Sequence, residues 1–299
     1  MKRDYVALAC LAITTAVAVL VVLLRPYTFA VLEPMGHIAL SERALIVHAL
    51  LLMLIVVVPV FALAFAIAWR YRAGNTSAVY TPEWEHSKLE EFVWWIVPFE
   101  IILVLGALTW SSTHQLDPYK PLVSNVPQLR VEVVALEWKW LFIYPSLGIA
   151  SVNALTLPVG TPVEFDITAD APMNSFWIPQ LGGQIYAMTG MSTQLHVVAN
   201  ERGTYMGSSA NYSGSGFASM TFPVTATSPE EFDAWVAQVK NDSPALTMST
   251  YHTLAAPGTT TPATYAPVAD TLYNSIIMQF MSPSTSHSGS DMGSMQMEH

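Results

Sequence analysis

The sequence predicts a membrane protein of mixed α and β class, in which two or three N-terminal transmembrane helices precede a β-sandwich or barrel and a short C-terminal helical extension. Hydrophobic residues make up 52% of the 299 residues and charged residues only 11%, whereas a soluble domain usually carries about 25% charged residues. The long apolar runs all lie before residue 111, and short alternating segments follow it. The first part of the chain is therefore expected to lie in lipid and the second part outside it.

Three apolar runs cover residues 5–24, 44–69 and 92–110. Because a helix needs about 20 apolar residues to span a bilayer, the second and third runs predict transmembrane helices at about 44–69 and 92–111. Together they form a predicted hairpin that takes up residues 31–111.

Basic residues predict the orientation of this hairpin, since Lys and Arg near the ends of a span favour the cytoplasmic side. Arg70, Arg72 and Lys88 lie between the two predicted helices. The loop 70–91 is therefore expected to be cytoplasmic, and the chain after Ser111 to be extracytoplasmic.

The first run leaves two interpretations open. A basic start at Lys2 and Arg3 followed by an apolar stretch is typical of a first transmembrane helix and also of a signal peptide. Residues 28–30 provide a small-x-small cleavage sequence for the second interpretation. Residues 1–30 are therefore expected to form one or the other, and Cys10 is interpreted as a buried small residue within them.

The exterior part, residues 112–227, has the pattern of a β domain. Short alternating segments separated by Gly and Pro turns are typical of sandwiches and barrels; they occur at 130–134, 162–167, 194–198 and 217–224. Ser228 then begins a predicted helix as its N-cap, with Pro229 in the first turn and Glu231 at the capping-box position.

The C-terminal part is expected to consist of a helical extension and a disordered tail. Residues 228–282 are predicted to form the helical extension, with irregular coil at 254–268 because that stretch is rich in Thr, Pro and Ala. Residues 283–299 are rich in Ser, Gly, Met and His and are predicted to be disordered.

Charge and cysteine content exclude several classes of function. The formal net charge is −10, and the chain from Ser111 onward contributes −9 from 14 acids and 5 bases. An acidic exterior argues against nucleic-acid binding. A single cysteine excludes an internal disulfide and any metal site built on paired cysteines.

Five segments carry a resemblance to a known family: EWKWLFIYP (137–145), MNSFWIP (173–179), QIYAMTGM (184–191), GSSANYSG (207–214) and FASM (217–220). In order and spacing they resemble subunit II of the bo-type ubiquinol oxidases of the haem–copper superfamily, from about residue 30 to 282. The resemblance implies a cupredoxin-like exterior domain in the periplasm and a location in the bacterial inner membrane. It also implies subunits I, III and IV as partners, with subunit I holding the haems and copper and oxidising quinol, so that this chain needs no cofactor.

The resemblance also identifies the positions at which related cytochrome c oxidases bind a binuclear copper centre. Asn174 corresponds to the first histidine and Phe217 to the second, Ser209 and Ser213 to the two cysteines, Asn211 to the glutamate and Met220 to the methionine. Only the methionine is kept. Because copper needs soft thiolate and imidazole ligands here, these positions are expected to hold no metal.

Glu91 is the residue expected to contribute to function. It lies at the cytoplasmic start of the third apolar run, where a carboxylate can collect protons. The resemblance implies that it stands at the entrance of the K-type proton channel of subunit I, with Glu90 able to share the task. The alternative is a carboxylate that only stabilises the helix N-terminus.

Other residues receive less specific interpretations. Glu100, inside the third run, is expected to make an interfacial hydrogen bond, and His48 to face a subunit interface. Pro59 is expected to kink its helix. Trp138, Trp140 and His196 are interpreted as packing residues. The tail is interpreted as a solvated terminus, and loose binding of Cu(I) is the alternative. That alternative would use His287, Met292, Met295, Met297 and His299.

Three other functions are alternatives to this prediction, and each requires something different of the sequence. A cytochrome c oxidase subunit II would need two cysteines four residues apart in the 205–220 loop, where serines stand. A membrane-anchored copper-binding or assembly protein would need a metal site in the sandwich. A purely structural assembly subunit would differ from the leading prediction only in leaving Glu91 without a proton role.

Overall fold

The structure, a computed structural model, describes residues 29–79 and 87–281, together with Val19 and Glu83. The predicted signal peptide or first helix lies almost entirely outside the described residues. The Met- and His-rich tail lies wholly outside them.

Two long helices, α1 (His37–Arg70) and α2 (Lys88–Gln115), form the transmembrane part. Both are long and apolar enough to cross a membrane. Each extends beyond its predicted bounds because polar residues continue the helix past the apolar run. At the outer end of α2, His114 Nδ1 lies 2.8 Å from the Trp110 carbonyl oxygen and Gln115 donates to Ser111 Oγ at 3.3 Å. Pro59 lies inside α1, which continues through it.

The exterior domain consists of two packed β-sheets. Their strands are β1 (Leu129–Leu136), β2 (Lys139–Tyr144), β3 (Ile149–Val152), β4 (Leu155–Pro158), β5 (Pro162–Ala169), β6 (Asn174–Trp177), β7 (Ile185–Ala187), β8 (Thr193–Val198), β9 (Gly203–Ser209), β10 (Thr221–Thr227) and β11 (Ala263–Tyr265). The first sheet has the order β11-β3-β2-β1-β5-β8 and the second β4-β10-β9-β6-β7. Strands β1 and β5 pair in parallel, as do β4 and β10, and the other pairs are antiparallel.

Aromatic side chains fill the space between the sheets. Trp140, Phe142, Phe165, Phe176 and Phe222 are fully buried. Their rings contact one another at centroid distances of 5.0 to 6.3 Å, mostly edge to face, an arrangement that stabilises a core beyond the area it buries. The aromatic segment at 137–145 therefore belongs to the core of the sandwich, as expected for Trp140.

The C-terminal extension contains three helices, α3 (Pro229–Asp242), α4 (Met248–Ala255) and α5 (Leu272–Met278). The predicted capping box of α3 is confirmed, because Ser228 and Glu231 exchange both side-chain-to-backbone hydrogen bonds. Helices α4 and α5 cover the outer face of the first sheet, where Tyr251 and Tyr273 are buried in a second apolar cluster.

Two local predictions were wrong. The segment 217–224 does not begin as a strand, since Phe217–Ser219 form a 3-10 turn and β10 starts at Thr221. The stretch 254–268 is not all coil, because Ala263–Tyr265 add strand β11 to the edge of the first sheet by pairing with β3. Both differences depend on which strands pair in the folded protein, and local composition does not predict that pairing.

The two membrane helices are attached to the sandwich at their outer ends. The backbone N–H groups of Met35 and Gly36 both donate to the Gln180 carbonyl, at 2.8 and 3.0 Å, and Asn200 N–H donates to Met35 O at 2.9 Å. After α2, the ring of His196 on β8 lies 2.9 Å from the Pro118 carbonyl oxygen. His196 is buried, so the predicted packing role extends to joining the chain after α2 to the sheet.

Candidate functional site

The residues aligned with copper ligands come together at one end of the second sheet. Asn174 begins β6 and Ser209 ends β9, two strands that pair directly. Asn211 and Ser213 follow in the connecting loop, and Met220 precedes β10. All six predicted positions, including Phe217, thus belong to one loop-and-strand cluster, named here the ligand loop.

Hydrogen bonds between its own polar groups hold the ligand loop together. Ser209 Oγ donates to Asn174 Oδ1 at 2.6 Å, and Asn174 Nδ2 donates to the Pro172 carbonyl at 2.9 Å. Asn211 Nδ2 donates to the Met173 carbonyl at 3.0 Å. Because Asn174 is fully buried and Ser209 is only 7% exposed, leaving these groups unpaired would be costly.

The remaining positions supply packing groups. Phe217 presents a phenyl ring that contacts Tyr212 edge to face at 5.7 Å between centroids. Met220 is buried at 1% exposure. The hydroxyl of Ser213 is buried and has no hydrogen-bond partner in the described part of the chain.

The sequence predicts a packing role for Trp138 but not its contact with the ligand loop. It stands in the tight turn between β1 and β2 with φ of +64°, an uncommon conformation for a bulky residue. Its indole N–H donates to the Ser213 carbonyl at 3.1 Å, and a Cβ added to Gly216 would lie 2.3 Å from its ring. The glycines at 214 and 216 were the sequence feature that could have predicted this contact, because they leave room for a large side chain to cover the loop.

The donor set of the ligand loop does not fit a binuclear copper centre. Two hydroxyls, two amides and a phenyl ring replace the thiolates and imidazoles that copper favours, and one thioether remains. The side-chain oxygens of Asn174 and Ser209 already bond each other. Among the described residues, no group of three or more His, Cys, Asp and Glu side chains is placed to hold a metal ion.

The second candidate site is the N-terminal end of α2. Ser87 caps the helix and accepts a hydrogen bond from Glu90 N–H at 3.4 Å, while Glu91 N–H donates to the Ser87 carbonyl at 2.9 Å. Glu90 is exposed and Glu91 is half-buried. Both carboxylates lie in the first turn, where the helix dipole favours negative charge.

The other predicted residues do not join either site. Glu100 lies on the exposed surface of α2 and His48 on that of α1. The metal-binding alternative for the tail concerns residues outside the described part of the chain.

Comparisons with known proteins agree with this architecture. A family model described as the periplasmic domain of cytochrome c oxidase subunit II matches residues 145–227, and one described as the COX aromatic rich motif matches residues 240–284. Fold and matches together define the class of the protein, a membrane-anchored oxidase subunit II with a cupredoxin-like periplasmic domain.

Curated relatives narrow the class further. The chain is 50% identical over 268 residues to cytochrome bo(3) ubiquinol oxidase subunit 2 of Pseudomonas aeruginosa, covering 89% of this chain and 80% of the relative. It is 50% identical over 252 residues to ubiquinol oxidase subunit 2 of Acetobacter aceti, covering 84% and 82%. The chain belongs to the ubiquinol oxidase subunit 2 family.

Among solved structures, the periplasmic domain of subunit II of cytochrome oxidase from Bradyrhizobium japonicum is similar at 22% identity with a TM-score of 0.37. That likeness covers 40% of this chain and 98% of the other.

Proposed function

We propose that this chain is the non-catalytic subunit II of a proton-pumping ubiquinol oxidase of the bacterial inner membrane. The holoenzyme oxidises quinol and passes the electrons to dioxygen, which is reduced to water. The haems and copper of this reaction belong to subunit I, so electrons do not pass through the chain described here. It instead stabilises the complex with subunits I, III and IV and covers part of its periplasmic face.

One observation carries this proposal: Ser209 and Asn174, at two of the copper positions, are hydrogen-bonded to each other. The bond from Ser209 to Asn174 occupies the place where a metal would need a thiolate and an imidazole. An electron donor that requires a copper relay in subunit II would find no acceptor in this loop. The family membership supports quinol as the donor, since the relatives at 50% identity carry that substrate in their names.

The membrane helices support a role in assembly. α1 and α2 expose long apolar side chains along most of their length. In a holoenzyme, part of this surface contacts subunit I and part contacts lipid. The main attachment of the chain to the complex is therefore through the hairpin, with the sandwich held above it by the bonds at Gly36 and Pro118.

The test is to purify the complex through this chain and to measure oxygen consumption with a ubiquinol analogue and, separately, with reduced cytochrome c. The copper content of the full-length chain, purified alone in detergent, is measured beside it. Uptake driven by quinol, with a chain that binds no stoichiometric copper, is the expected result. Uptake driven by cytochrome c, or a binuclear complement of copper in this chain, would overturn the proposal.

Glu91 is proposed to deliver protons to the K-type channel of subunit I. Three features support this role: its place in the first turn of α2 at the cytoplasmic surface, its half-buried side chain, and the adjacent Glu90, which can exchange protons with bulk water. A carboxylate at a membrane surface is suited to proton collection because it can bind and release protons without a large conformational change.

The proton role is tested with Glu91→Gln, with Glu91→Asp as the conservative variant and Glu90→Gln as the neighbouring control. Quinol oxidation by Glu91→Gln is expected to slow about tenfold or more, with recovery in Glu91→Asp and a smaller effect in Glu90→Gln. The slow step should be sensitive to cytoplasmic pH. Equal activity of Glu91→Gln and the unaltered chain in fully assembled complexes would leave Glu91 with a structural role only.

A further inference from the structure

A cavity of about 620 Å³ lies where the outer ends of α1 and α2 meet the edge of the sandwich at β8. Its walls come from the first turns of α1, from the chain that follows α2, and from strand β8. Because both helices leave the membrane at these ends, the cavity lies at the depth of the phospholipid headgroups of the periplasmic leaflet.

Charges of both signs line this headgroup cavity. Lys120 provides a cation, while Glu42 and Asp117 provide two carboxylates. Glu42 is half-buried, and its Oε1 lies against the backbone at Gly183, where an added Cβ would stand 2.8 Å from it. A ligand that complements these walls has to carry a negative and a positive group within a few bond lengths of each other.

A second cavity of about 400 Å³ lies between the two helices and shares the lining residue Leu116 with the headgroup cavity. It is lined mainly by apolar side chains, among them Leu45, Ile46 and Leu105, with Ala49 leaving space on the α1 side. A charged cavity above an apolar groove matches the shape and polarity of one lipid molecule.

We propose that these two adjoining cavities together bind one zwitterionic phospholipid of the phosphatidylethanolamine type, with its headgroup beside Lys120, Glu42 and Asp117 and one acyl chain between α1 and α2. The ammonium of Lys120 faces the phosphate, and the two carboxylates face the ethanolamine. An anionic phospholipid lacks a cation that could pair with the two carboxylates. A quinol carries no charge to pair with any of the three, so charge complementarity selects the zwitterion.

Bound in this place, the lipid is a structural ligand that fills the gap between the two helices and fixes the hairpin beneath the sandwich. The inference extends beyond the proposed electron-donor function and does not depend on it, because the lipid takes no part in quinol oxidation.

The test uses the intact oxidase complex, washed in detergent and then supplied with phosphatidylethanolamine, phosphatidylglycerol or ubiquinol, with retained molecules counted by native mass spectrometry. Lys120→Gln removes the phosphate partner and Ala49→Trp fills the groove. Lys240→Gln on α3 and Ala62→Trp on α1 are matched controls, since neither position lines the two cavities. Oxygen consumption is recorded for every variant, so that loss of lipid and loss of quinol oxidation are distinguished.

The unaltered complex and both controls should retain one tightly bound phosphatidylethanolamine, and Lys120→Gln and Ala49→Trp should bind it about tenfold more weakly. Lys120 lies beyond the end of α2 and not within a membrane-spanning helix, so its variant keeps the test valid if Ala49→Trp impairs assembly. Equal retention of phosphatidylglycerol, retention of ubiquinol in its place, no retained lipid, or a cross-link from residue 49 to a side chain of another subunit would each overturn the proposal.

Discussion

The hydroxyl of Ser209 donates a buried hydrogen bond of 2.6 Å to the amide oxygen of Asn174. It joins the end of β9 to the start of β6, at two of the positions that the resemblance to cytochrome c oxidases assigns to copper ligands. Side chains of this chain therefore hold together the two strands that carry the ligand loop.

Breaking this bond should destabilise the sandwich without affecting any redox centre. In Ser209→Ala, the Asn174 carbonyl loses its buried partner, which is expected to cost about 1–3 kcal/mol of unfolding free energy. Denaturant unfolding of the full-length chain in detergent, followed by tryptophan fluorescence, measures the change. Ser208→Ala, one residue earlier on the same strand and partly exposed, is the control; an equal loss in both variants would contradict the special role of the buried pair.

Gly36 should tolerate no side chain. A Cβ at this position would lie 2.6 Å from the Leu181 carbonyl oxygen and 2.8 Å from that of Val198, two backbone atoms that cannot move away cheaply. Gly36→Ala is therefore expected to loosen the attachment of α1 to the sandwich at a cost of about 1–3 kcal/mol. Limited proteolysis between residues 33 and 40 reports the loosening.

Gly106→Ala provides the matched comparison, because an added Cβ there meets no atom within 4 Å. Protection at residues 33–40 that is the same in both variants would show that the close contact at Gly36 does not hold the junction.

The stability of the sandwich should depend on pH through Glu132. Burial raises the pKa of Glu132 to about 7, the positive charge of Arg130 acts in the opposite direction, and the negative charge of Asp166 adds to the increase. The folded chain therefore holds a proton that the unfolded chain releases at its ordinary pKa of 4.5. The contribution of this group to the unfolding free energy is fully present below about pH 4.5, is lost as the pH rises to about 7, and stays lost above it.

Glu132→Gln should remove this dependence, because the amide never ionises. Relative to the unaltered chain, the variant is expected to gain up to about 3 kcal/mol of stability above pH 7 and to gain little near pH 4.5. Denaturant midpoints measured from pH 4.5 to 8 provide the comparison. A stability difference between the two proteins that stays constant across this range would refute the assignment.

The C-terminal extension should be weakened by removing one hydroxyl. Tyr251 on α4 is buried and donates to Asp170 at 2.5 Å, which attaches the helix to the end of β5. Because hydrogen bonds to charged groups are stronger than neutral ones, Tyr251→Phe is expected to cost about 1.5–3 kcal/mol. Hydrogen exchange of the α4 amides measures the effect, with Tyr265→Phe on β11 as the control. Unchanged exchange in Tyr251→Phe would mean that apolar packing alone holds the extension.

Local patterns were enough to predict the fold class. Apolar runs long enough to span a bilayer predicted both helices, and alternation predicted β1, β5 and β8 within about two residues of their observed ends. The capping box at Ser228 was also predictable from the sequence, because its hydrogen bonds join residues only three positions apart. What these features share is that their cause lies within a short stretch of chain.

Other features were decided only by tertiary structure. Strand β11 exists because residues 263–265 meet the free edge of β3, and the left-handed turn at Trp138 exists because its ring covers the glycines of a loop about 75 residues away. The sequence alone determined that the ligand loop lacks the side chains that copper needs. Only the structure showed that Asn174 and Ser209 bond each other instead. The two residues are 35 positions apart in the chain, and a hydrogen bond depends on how close their atoms come in the folded protein.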